Sequence, residues 1–175
     1  MSALTTDHFS LLGFAPHFAL DPQALDAAYQ RVQSQVHPDR FAVASAAERR
    51  VAMQWATRAN EAYRVLRDPV QRAACLCEMH GAPIEAESNT AMPAAFLMQQ
   101  MAWREALDAA ADAPAVERLD AEVAAQQKRD LEALTVLLDE KNDTPAAAAQ
   151  VRALMFVARF RQDIARRLDT LDPTR

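Results

Sequence analysis

Glycine is nearly missing from this chain: Gly13 and Gly81 are the only two among 175 residues. Gly-x-Gly-x-x-Gly turns and Walker-type phosphate loops each need several glycines at fixed spacing, so both are excluded. Cysteine is as scarce, with Cys75 and Cys77 alone. Two residues apart on a helix, they point to nearly opposite sides, which suits neither a mutual disulfide nor a shared metal ion. They read as buried or idle thiols, and no metal is expected on Cys75, Cys77 and His80. No apolar run approaches the length of a membrane span, and the N-terminus shows neither a basic n-region nor an unbroken apolar h-region. The expected setting is a reducing cytoplasm, off the membrane, with no cofactor.

What is present favours helix. Hydrophobic residues make up 51% of the chain and charged residues 25%, so a buried core is feasible and disorder is not expected. Alanine and arginine abound while β-branched residues are few, and propensity points to an all-α class. The net charge of −5 argues against nucleic acid, whose phosphates need concentrated Lys and Arg. The charge is uneven: residues 1–78 carry eight acidic and eight basic side chains, and residues 79–175 sixteen and eleven. The second half is the acidic one.

Helix signals recur along the chain. Residues 7–13 read as a short helix opened near Asp7 and stopped by Gly13. Asp21-Pro22 opens a second helix as N-cap and first-turn proline, with Leu25, Tyr29, Val32 and Val36 as its buried stripe. It ends at His37-Pro38, because proline forbids continuation and pushes the preceding residue out of the α region. Ser45 and Glu48 form a capping box for a third helix whose inner face is Ala52, Trp55, Ala59, Ala62 and Leu66. These two helices make an antiparallel hairpin in which small alanines allow close approach. Asp68-Pro69 starts a fourth helix that ends at His80-Gly81. Residues 82–93, with two prolines and no period, read as a linker. Three longer helices follow, from about Ala94 to Asp112, from Pro114 to about Asn142, and from the Thr144-Pro145 cap to about Leu171. On the middle one, Val116, Leu119, Val123, Leu131, Leu134 and Leu138 keep to one face. Short connections imply an antiparallel three-helix bundle. The expected organisation is 1–81, a linker at 82–93, and a bundle at 94–175.

The bundle carries more apolar surface than its core requires. At 100° per residue, Phe96, Trp103 and Leu107 fall within about 40° of one another. Leu97, Met98 and Met101 fall well away from them, beside Glu105 and Asp108. On the last helix Leu154, Val157, Ile164 and Leu168 share a face, and Phe156 lies about 100° from its centre. A broad bundle interface accounts for this in one reading. In the other, Leu97, Met98, Met101 and Phe156 form an exposed, carboxylate-bordered patch for a protein that is basic at the contact.

His37-Pro38-Asp39 is the other informative feature. A proline-ended helix followed by an Asx-type turn is the bland explanation. An acid–base pair is the enzymatic one, but a hairpin tip offers neither a substrate cleft nor a third group to orient the histidine.

Four segments taken together give a specific resemblance: Phe9-Ser10-Leu11-Leu12-Gly13, His37-Pro38-Asp39-Arg40-Phe41, Asn60-Glu61-Ala62-Tyr63 and Leu66-Arg67-Asp68-Pro69. They resemble a J-domain, the module that activates Hsp70 chaperones. Asn89-Thr90, then Phe96-Leu97-Met98-Gln99-Gln100-Met101 and Trp103-Arg104-Glu105, resemble the start of the C-terminal bundle of the HscB family. That resemblance covers nearly the whole chain. It implies an all-α fold, with an N-terminal J-domain (a helical hairpin with flanking short helices) and a C-terminal three-helix bundle. It also implies a co-chaperone of iron–sulfur cluster assembly, not itself an enzyme, that stimulates the ATPase of the specialised Hsp70 HscA and delivers the scaffold IscU. The family's Hsp70-binding residues map onto Arg31, His37, Pro38, Asp39 and Arg40, and its scaffold-binding residues onto Leu97, Met98, Met101, Glu105 and Phe156. A J-domain serving a general Hsp70 and another client is the alternative. Two departures stand out. Gln30, Gln33 and Gln35 replace the usual cations of the second helix, and Ala102 and Ala109 stand where the family has carboxylates.

Overall fold

The computed structural model describes residues 7–36, 45–85 and 92–171. Among them, seven α-helices and one π-helical turn account for the regular structure, and there is no strand. The helices are α1 (His8–Leu12), α2 (Pro22–Val36), α3 (Ala46–Arg67), α4 (Pro69–Met79), α5 (Ala94–Ala109), α6 (Ala113–Thr135) and α7 (Thr144–Leu171). The chain divides into two compact units, residues 1–76 and 77–175.

In the first unit the boundaries come from side-chain caps. The Asp7 carboxylate accepts from the Ser10 amide at 2.9 Å. Gly13 adopts φ 81°, and its amide and that of Phe14 return to the carbonyls of Ser10 and Phe9. Only glycine reaches that left-handed conformation without steric cost. The Ser45–Glu48 capping box forms in both directions. The Asp68 carboxylate takes the amides of Val70 and Gln71 at the start of α4. Helices α2 and α3 pack as a hairpin, and α1 lies against both. Ala52, Ala59 and Ala62 on α3 are buried, as is Ala28 on α2. Of the stripe expected on α2, only Leu25 is fully buried; Tyr29, Val32 and Val36 are half-buried. Trp55 is likewise half-buried. The small residues, rather than the large ones, occupy the line of closest approach.

The second unit takes in the end of α4. Cys77 is buried and its thiol donates to the Thr144 carbonyl at 3.8 Å. Ile84 is buried too, and Arg152 donates to its carbonyl at 3.2 Å. Both links lead to α7, so the end of α4 and residues 82–85 belong with the bundle although their composition reads as a connector. Burial pushes the Cys77 thiol up to about 11, which keeps it protonated and unreactive.

In the bundle, α6 and α7 form the principal pair and α5 packs on α6. Trp103 of α5 stacks on Phe160 of α7 with centroids 6.0 Å apart, and its indole N–H donates to Glu122 of α6 at 3.0 Å. A single aromatic therefore ties all three helices. Arg161 of α7 grips Asp120 of α6 through two bonds of 2.9 and 3.0 Å. The expected helix from Pro114 to Asn142 is not uniform: Val136–Glu140 widen into a π turn, and Asn142 ends it at φ 53°. Leu134 and Leu138, on either side of its start, are both buried. The cap of α7 also shifts by one residue, since the Asp143 carboxylate takes the Ala146 amide at 3.1 Å while Thr144 is already helical.

Candidate functional site

The first candidate surface is the segment that connects α2 to α3, together with Arg31. His37, Pro38, Asp39 and Arg40 lie outside the described residues; Arg31 is exposed on α2. A polar network fixes the frame from which that tripeptide departs. Tyr29 and Tyr63 stack with centroids 4.2 Å apart. The Tyr29 hydroxyl donates to Asn60 Oδ1 at 2.8 Å, and the Gln33 amide donates both to that hydroxyl, at 3.1 Å, and to Asn60. Further along, Tyr63 donates to Asp26 at 2.7 Å and accepts from Arg67 at 2.6 Å. The hydrogen bond to Asp26 raises the Tyr63 pKa above the usual phenol value, with burial adding to it. Gln33, which looks in the sequence like a missing cation, is thus a bridge between helices.

The second candidate surface is on α5. Leu97 is 45% exposed, Met98 72% and Met101 63%, and Glu105 is exposed beside them. The broad-interface alternative fails for these three apolar residues, because Trp103 alone occupies the buried line of the helix. Phe156 differs from them. It is half-buried, edge-on to Phe96 at 5.9 Å and stacked on Phe160 at 6.3 Å. Its remaining face lies under the Arg104 guanidinium, 5.4 Å from the ring centre. The patch is therefore three exposed side chains with an aromatic support. Arg104 is the member that sequence reasoning passed over. Its only signal is that residues 97, 101 and 104 fall on one side of a helix.

Among the described residues, no group of three or more His, Cys, Asp or Glu could hold a metal ion. Among the same residues, no helix is long and apolar enough to cross a membrane.

A two-unit all-α protein whose bundle leaves methionines in solvent falls in the class of folds with exposed apolar surface suited to protein recognition. Comparison with known proteins gives this class its family. Residues 92–165 match the family model described as the HSCB C-terminal oligomerisation domain. The chain is 56% identical over 160 residues to a co-chaperone protein HscB homolog of Bordetella petrii, covering 91% of this chain and 94% of that one. It is 52% identical over 175 residues to the corresponding protein of Burkholderia multivorans, covering 98% and 99%. Among solved structures, chaperone HscB from Vibrio cholerae superposes with a TM-score of 0.81 at 35% identity, over 95% of this chain and 99% of that chain. Human co-chaperone HscB superposes with a TM-score of 0.86 at 28% identity, over 92% and 81%. This chain belongs to the HscB co-chaperone family.

Proposed function

We propose that this co-chaperone serves the maturation of iron–sulfur proteins in the cytoplasm, working on a partner's ATPase rather than on a substrate of its own. The N-terminal J-domain stimulates ATP hydrolysis by a specialised Hsp70 of the HscA type, and the C-terminal bundle carries an IscU-type scaffold to that chaperone. The observation that supports this most is the identity of 56% to an HscB co-chaperone across 91% of the chain, which spans both units.

Each proposed residue has a physical role. Asp39 pairs with a cation on the chaperone, and losing one partner of a desolvated charge pair costs roughly 2–5 kcal/mol. Pro38 fixes the backbone at the tip and His37 supplies hydrogen bonds. Arg31 and Arg40 add positive charge against an acidic surface. Stimulation requires that the J-domain bind the hydrolysis-competent arrangement of the Hsp70 better than the resting one. On the bundle, Leu97, Met98 and Met101 bury apolar area against the scaffold while Phe156 backs them and Glu105 meets a basic group. Carrying both surfaces on one chain makes scaffold capture effectively intramolecular.

The test is stimulation of ATP hydrolysis by a purified HscA-type Hsp70, run in parallel with a general Hsp70. The expected result is strong stimulation of the former that Asp39→Asn abolishes. Full stimulation by the Asp39→Asn variant, or equal stimulation of both chaperones, refutes the assignment.

A further inference from the structure

The two helices of the hairpin differ in charge in a way the proposed roles above do not use. Helix α2 carries one carboxylate, Asp26, and one cation, Arg31, and Asp26 accepts from Tyr63. The first four turns of α3, residues 46–60, carry Arg49, Arg50 and Arg58 against a single carboxylate, Glu48. Glu48 is held in the capping box by Ser45, at 2.7 Å to its hydroxyl and 2.8 Å to its amide. At 100° per residue the three arginines spread over an arc of about 180°, with Met53, Thr57 and Gln54 between them. This is the side of α3 opposite its buried alanines.

The same side is apolar at its centre. Met53 is 66% exposed, the highest exposure of any large apolar side chain on the hairpin helices, and Val51 is exposed at the edge of the arc. A shallow depression runs along Arg49, Arg50, Met53 and Arg58. It continues past Met53 into a groove of about 250 Å³ between the two helices, floored by Ala52 and Ala56 and closed by Val36. Val36 directly precedes His37 in the chain. A cationic rim around an exposed methionine thus runs to Val36, the residue that precedes the His-Pro-Asp tripeptide in the chain.

We propose that this face of α3, rather than α2, is the main electrostatic docking surface of the J-domain, and that its occupant is a carboxylate-rich, partly apolar surface on the Hsp70. Charge complementarity selects an acidic partner, and continuity with Val36 selects the chaperone over a second copy of this acidic chain. The inference rests on the J-domain reading given above. The arginines steer encounter and act mainly on the association rate and its salt dependence, while Met53 seats in an apolar recess on the partner.

The experiment measures the concentration of full-length protein giving half-maximal stimulation of a purified HscA-type Hsp70, at low and at moderate salt. R49E/R50E is expected to raise it about tenfold or more at low salt and to flatten its salt dependence. R49K/R50K keeps the charge and stays within about twofold of the parent. R31E has a smaller effect than R49E/R50E, and M53A raises the concentration several-fold at both salt levels. Should R49E/R50E lose helicity by circular dichroism, R50E alone is read in the same way. If R49E/R50E behaves as the parent while Asp39→Asn is inactive, this surface assignment is wrong and the J-domain reading stands. If Asp39→Asn is also without effect, both fall. If R49E/R50E leaves stimulation unchanged but breaks up self-association in sedimentation, the occupant is a second copy and the proposal is overturned.

Discussion

The two units of this chain are held together by different physics. The hairpin of the first unit brings its helices close on alanines and then locks them with hydrogen bonds between Tyr29, Gln33 and Asn60 and between Asp26, Tyr63 and Arg67. The bundle of the second relies on large side chains: Trp103, Phe160, Phe156 and Phe96 form a continuous run of ring contacts. Small residues with polar bridges fix the orientation of the two helices through directional contacts. Aromatic packing stabilises by area, and it leaves the outer side of α5 free to carry Leu97, Met98 and Met101 at no cost to the core.

The sharpest way to break this contrast is to remove Trp103. Its truncation in W103A deletes a buried ring, with an expected loss of about 3–5 kcal/mol in the stability of the bundle. Trp55 is then the only tryptophan left, and its fluorescence reports the first unit. Urea denaturation followed by that fluorescence and by circular dichroism should give two separate midpoints, with only the bundle displaced. A common shift of both signals argues against independent units.

A smaller effect on stability but a large one on binding is expected from L97A/M98A/M101A. These side chains are exposed, so unfolding free energy should change by no more than about 0.5 kcal/mol per site. Affinity for a purified IscU-type scaffold, measured by calorimetry, should fall by roughly tenfold to a hundredfold. Loss of helicity would instead assign the three to the core.

The smallest effect concerns the capping box. Hydrogen bonds from the Ser45 hydroxyl and amide hold the Glu48 pKa below its ordinary value. A carboxylate depressed in the folded state adds stability that is present above its unfolded pKa and lost as pH falls through the folded one. The parent should therefore lose a little stability in acid, below the ordinary glutamate range, and E48Q should lack that part of the slope. The comparison is made by denaturation at stepped pH. An unchanged slope in E48Q removes the box from the acid response.

Much of this was legible from local chemistry. Asp7, Ser45 and Asp68 are caps in the structure because each can bond amides within its own next turn, with no help from distant residues. The exposed side of α5 was legible as well, since a 3.6-residue period separates Met98 and Met101 from Trp103 whatever packs nearby. The half-burial of Phe156 was not. Nothing along α7 announces that Phe96 and Arg104, both far earlier in the chain, will cover it.

By itself, then, the order of residues determined where the helices start and stop and which sides of them are apolar, because those are properties of one turn of backbone and its neighbours. Tertiary structure decided which apolar sides are used. It drew Cys77 and Ile84 into the bundle through bonds to α7, widened the end of α6 into a π turn, and made Gln33 a bridge to Asn60. Each of these depends on a partner distant in sequence, or on how one helix must bend to meet another. No local pattern carries that information, since the free energy of such a contact exists only after the chain has closed on itself.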